Sequence, residues 1–92
     1  MINKKPPDLI VSLFEQRVVL ELRKGTGVVD FADLPYYHNL EGVLISGLDK
    51  LLHRNRISPK ALKTHKIQGN LGKDSTSWKI VNAYVQALKV NF

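Results

Sequence analysis

The residue types best suited to chemistry fall in the stretch GNLGKDSTSW, residues 69–78, where two glycines, a lysine, an aspartate and three hydroxyls precede an amphipathic run. Such a set could cradle a phosphate, with backbone N–H groups and a lysine surrounding the anion. The spacing argues against it. A phosphate-binding loop needs two glycines five apart followed at once by Lys and Ser or Thr, whereas Gly69 and Gly72 are three apart and Asp74 follows Lys73. A carboxylate inside the loop would also repel the anion. The stretch therefore reads as a helix start, capped by Ser75, Thr76 or Ser77, with Asp74 favouring the positive helix end.

Other reactive groups are scattered. His38, His53 and His65 lack the short spacing of a zinc pair. Asp8, Asp30, Asp33 and Asp74 are the carboxylates that a metal-dependent nuclease would have to gather, and only Asp30 and Asp33 lie close together, near a strand end. No serine sits in a glycine-flanked elbow. The sequence thus predicts no catalytic residue, no metal and no cofactor.

Charge is the next signal. Residues 1–49 carry five Lys/Arg against seven Asp/Glu, a net of −2, and residues 50–92 carry nine against one, a net of +8. Six cations and no acid lie between Lys50 and Lys66. Lys50, Arg54, Arg56, Lys60, Lys63 and Lys66, with Lys73 and Lys79, form a candidate contact with RNA or DNA phosphates. The alternative is a solvated face that keeps the chain soluble.

The elements that must position these groups follow from periodicity. Leu9–Phe14 and Val18–Leu22 are β-rich runs separated by Glu15-Gln16-Arg17, which predicts a hairpin, and VVDFADLPYY supplies a third strand that Pro35 interrupts. Leu40, Val43, Leu44, Gly47, Leu48, Leu51 and Leu52 fall at offsets 0, 3, 4, 7, 8, 11 and 12, one face of an α-helix with Asn39 as N-cap. RISPKAL is a turn in which Pro59 can start a short helical turn, and THKIQGN is a weak strand candidate. In the last helix Trp78, Ile80, Val81, Tyr84, Val85, Ala87 and Leu88 cover half the circumference and are expected to face the core. Lys79, Asn82, Gln86 and Lys89 form a polar ridge.

Gly42, Ser46 and Gly47 are poor helix formers, the glycines costing roughly 0.5 to 1 kcal/mol each, so their small size needs a reward. Close approach of another helix would supply it, and Ala83 and Ala87 are similarly small and four apart. These five residues are the candidate protein interface; their alternative is packing of the two helices on each other within one chain.

With 92 residues, 43% of them hydrophobic, the chain has room for one core, and residues 1–92 are expected to form a single domain with a flexible start over 1–7. There is no cysteine, no apolar signal run after MINKKPPDL and no stretch near the roughly 18 apolar residues of a membrane span. A cytoplasmic protein without membrane contact is expected.

The order hairpin, third strand, helix, weak strand, loop, helix resembles one lobe of the actin-like or ribonuclease-H-like fold, and in detail the N-terminal lobe of the TsaB (YeaZ) family. GKDSTSWKIVNAYVQAL is similar to that family's GPGSFTGLRIG run and the helix after it: Gly72 and Thr76 fall on its Pro and Thr, Lys79 on its Arg and Ile80 on its Ile. LEGVLISGLDKLLHRNRISPKALKTHKI is similar to its LLPLIDELLKEAGLSLKDLDAI segment, and LIVSLFEQRVVLELR to its second and third strands. The family's first strand with its IDTS turn, the middle of its glycine-rich loop and its C-terminal lobe have no counterpart. The resemblance implies an α+β lobe and a non-catalytic partner in the assembly that makes threonylcarbamoyl-adenosine in tRNA, docking through helices onto a TsaD-like subunit. It leaves an exposed sheet edge that favours association with another chain, self-association included.

Overall fold

The computed structural model describes residues 7–62 and 65–90. Lys63 and most of the expected flexible start lie outside them; Pro7, the one residue of that start within them, is buried. The fold is α+β. Its elements are β1 (Asp8–Phe14), β2 (Arg17–Lys24), β3 (Gly27–Pro35), α1 (Leu40–Arg54), a 3-10 turn (Pro59–Ala61), β4 (His65–Gly69) and α2 (Thr76–Val90).

The three antiparallel strands of the predicted meander are joined by the fourth, giving the order β3-β2-β1-β4. β4 runs parallel to β1, with Leu9 opposite His65 and Val11 opposite Ile67. β1 is therefore an interior strand, and the edges of the sheet are β3 and β4. The hairpin turns on Glu15 and Gln16, Gln16 taking a φ of 60°, and a bulge lies between Leu22 and Arg23 where they face β3.

Alternation along the strands sends Leu9, Val11, Leu13, Val18, Leu20 and Leu22 to one face. Leu44, Leu48 and Leu51 of α1 and Val81, Val85 and Leu88 of α2 close over them in a single cluster. The molecule is thus two layers, helices over sheet. Gly69, at a φ of +121°, lets the end of β4 run against the backbone of Leu13, where a Cβ would collide.

The helix ends obey capping chemistry. Asn39 Oδ1 accepts from Gly42 N–H at 3.2 Å. At the other end of α1, Ile57 N–H donates to the Leu52 carbonyl at 2.9 Å and Arg56 N–H to that of His53 at 3.1 Å. This is a Schellman motif in which Arg56, at a φ of 56°, stands where glycine is usual. Of the three expected caps of α2, Ser75 is the one used: its hydroxyl accepts from Trp78 N–H at 3.0 Å and donates to the Gly72 carbonyl at 2.9 Å. Tyr36, buried after Pro35, donates its phenol to the Phe14 carbonyl at 3.1 Å and lies 3.3 Å from the Ser77 hydroxyl, tying the hairpin to the start of α2. No helix among the described residues is long and apolar enough to cross a membrane.

Candidate functional site: the outer groove of the helical layer

Each helix carries more apolar surface than the sheet covers. On α1 the buried stripe is Leu40, Leu44, Leu48, Leu51 and Leu52, yet Ile45 lies off that stripe and is 45% exposed. On α2, of the residues expected to face the core, Val81, Val85 and Leu88 are buried. Trp78, Ile80 and Tyr84 are half-buried, and Ala87 is exposed. That corrects the core reading for Ala87: the apolar arc is wider than the sheet it packs on, and its excess points away from the sheet.

The excess forms a groove. One cavity of about 490 Å³ is lined by Ile45, Ser46, Ile57, Pro59 and Tyr84, among others. A second, of about 500 Å³, is lined by Ile45, Ile80, Ala83, Tyr84 and Ala87, with Glu41 and Lys79 also on its wall. Ile45 and Tyr84 belong to both. Burial, together with the nearby charge of Asp49, pushes the Tyr84 phenol pKa above its ordinary 10.0.

The five candidate interface residues divide. Ser46, Ala83 and Ala87 are exposed and line the groove. Gly42 also lines the first cavity, but its small size has a local cause, since a Cβ there would stand 2.6 Å from Asn39 Nδ2 and break the cap. Gly47 is buried, and a Cβ would run into Leu34 of β3. Its size serves the contact of α1 with the sheet, so its assignment to a helix-on-helix interface is corrected. Ile45 is the groove residue that sequence reasoning missed. Its signal was an isoleucine five positions after Leu40, off the stripe that begins there.

Among the described residues, the basic residues are distributed over several elements. Lys50 and Arg56 are exposed at and after α1, Lys73 lies in the loop before α2, and Lys79 is on α2. Lys60 belongs to the 3-10 turn. Lys66 pairs with Ile10, one residue out of phase with the core pairs Leu9–His65 and Val11–Ile67, so strand alternation sends it to the face away from the helices. Arg54 is engaged: its Nε reaches Asp30 Oδ2 at 2.8 Å and its Nη2 the Phe31 carbonyl at 3.2 Å. Any phosphate contact by Arg54 would compete with this ion pair, although its side chain is 57% exposed.

Asp30 also accepts from Asn55 Nδ2 at 2.8 Å and from Phe31 N–H at 2.7 Å. Hydrogen bonds from Arg54 and then Asn55 hold its carboxyl at about 2, below the ordinary 3.8. Asp33 pairs with Arg17 at 3.1 Å. Asp30 and Asp33 are thus engaged by arginines, and no group of three or more His, Asp or Glu among the described residues could hold a metal ion.

No known protein family, curated protein or solved structure matches this chain.

Proposed function

We propose that this chain is a non-catalytic protein-interaction module that docks through the outer face of α1 and α2, and that a second copy of the chain can occupy that face. The observation that carries the reading is the pair of mainly apolar cavities that share Ile45 and Tyr84, the first with Asp49 and His53 on its wall. Apolar grooves between helices take helices laid lengthwise, with anchors spaced by helical turns. Ile80, Tyr84 and Ala87, with Ala83 beside them, present such spacing on α2. The small side chains of Ser46, Ala83 and Ala87 allow a partner backbone close approach, and covering Ile45 contributes on the order of 1 kcal/mol from its exposed half.

The resemblance to the TsaB family supports the same face. A TsaB-like lobe docks by its helices, so a TsaD-like subunit is the second occupant of the groove, which would associate the chain with threonylcarbamoyl-adenosine modification of tRNA.

Light scattering of the purified chain at low and high salt, with and without bulk tRNA, tests the reading. A dimer that persists at high salt and ignores tRNA is the expected result, because apolar contacts are not screened. A monomer that gains mass only with tRNA at low salt would instead make the chain a nucleic-acid binder.

A further inference from the structure

β3 is an edge strand of nine residues along which Val28, Val29 and Phe31 stand 50%, 43% and 57% exposed. Long apolar edges pair with other strands unless lysines, prolines or bulges block them. β3 carries no lysine, its only proline is its last residue, and its bulge is confined to the end near Val29. Of its two acids, Asp33 is paired with Arg17 within the chain. In an antiparallel pair of β3 strands centred on Phe31, Asp30 stands opposite the other copy's Ala32 and Asp33 opposite its Val29, so no two like charges face each other directly.

The ladder fixes which backbone groups face outward. Tyr36 N–H donates to the Gln16 carbonyl, and Leu34–Val18 and Ala32–Leu20 continue that register, so the even-numbered residues bond to β2. Alternation turns the N–H and C=O of Phe31 and Asp33 away from the sheet. At Phe31 both groups are already taken: the N–H donates to Asp30 Oδ1 at 2.7 Å and the carbonyl accepts from Arg54 Nη2 at 3.2 Å. Asn55 braces the arrangement by donating to both Asp30 Oδ2 and the Leu51 carbonyl at 2.8 Å.

We propose that the β3 edge is a second interaction surface, one that takes the β3 edge of another copy of this chain in antiparallel pairing, and that Asp30 with Arg54 is the latch that keeps it shut. A twofold axis at Phe31 has each Phe31 N–H donate to the other copy's Phe31 carbonyl. Those are the two groups the latch occupies, so latch and pairing exclude each other. This surface lies on the sheet and is independent of the helical groove.

The test uses the full chain carrying Ala83→Arg, which removes association through the helical face and lets the two proposals fail separately. Adding Asp30→Ala with Arg54→Ala opens the latch without changing net charge. The expected result is a twofold rise in mass by light scattering, with exchange of the Phe31 amide slowed at least about tenfold. A further Phe31→Pro, which removes the outward N–H together with the exposed ring but no hydrogen bond to β2, returns the monomer. A folded latch variant that stays monomeric overturns the proposal, as does a dimer that survives Phe31→Pro. If the latch variant fails to fold, the unsubstituted chain still decides. Its Phe31 amide must exchange at least about tenfold more slowly than that of Asp33, whose outward N–H has no partner among the described residues. Equal rates overturn the latch.

Discussion

Ile45 of α1 and Tyr84 of α2 line both cavities of the helical layer, so two residues from different helices join them into one groove. Neither helix builds it alone. Changes on either wall must therefore act on the same association.

Ser46→Arg on one wall and Ala83→Arg on the other are each expected to weaken association at least about tenfold, more than 1.4 kcal/mol. Both positions are exposed, so helical circular dichroism should be retained and stability should change by no more than about 0.5 kcal/mol. Light scattering beside a urea melt checks both halves. Undiminished association in both variants would remove these residues from the contact.

Tyr84 is a reporter of the groove. Burial raises its phenol pKa, so stability that depends on the neutral phenol is present below pH 10.0 and declines as pH rises through the folded-state value. Spectrophotometric titration should show a component ionising above the usual range that Tyr84→Phe deletes. Occupation of the groove should move it higher still. A Tyr84 phenol that ionises at or below the ordinary 10.0 would contradict the burial that defines the site.

Acid acts on the other side of α1. The Asp30 carboxyl is lowered from 3.8 to about 2 by Arg54 and Asn55, so the stability it contributes is complete above pH 3.8 and lost as pH falls towards 2. Asp30→Asn should flatten that part of the stability profile, followed by denaturant melts at stepped pH. An unchanged acid limb would show that the Asp30–Arg54 contact is not formed in solution.

Two backbone positions give opposite predictions. Arg56 occupies the left-handed position of the Schellman motif at φ 56°, so Arg56→Gly should stabilise the chain by about 1 kcal/mol. Gly69, at φ +121° against the backbone of Leu13, has no room for a methyl, and Gly69→Ala should cost about 2 kcal/mol or more. Chemical melts of the pair measure both signs.

Much of this architecture was legible in local pattern. The alternation of Val18, Leu20 and Leu22 and the leucine stripe of α1 point to the surfaces that the structure buries. The parallel union of β4 with β1 was not legible, because five residues with only Ile67 as a strong β former carry almost no period and the pairing partner lies over fifty positions away. Gly42 and Gly47 misled for a related reason. Sequence shows that a residue is small, but only the fold shows whether its own cap, as at Asn39, or a sheet side chain, as at Leu34, requires it. A count of charges in the basic run does not show that strand alternation turns Lys66 away from the helices or that Arg54 meets Asp30. The width of the apolar arc on α2 was legible, whereas the part of it that the sheet leaves uncovered was not.

The most direct test of the helical-face reading is a concentration series of amide and methyl NMR spectra on the unsubstituted chain. Concentration-dependent shifts are expected at Ile45, Ser46, Ile80, Ala83, Tyr84 and Ala87, unchanged by salt. Shifts absent there at every concentration, and instead induced by tRNA at Lys50, Arg56 and Lys66, would contradict the account.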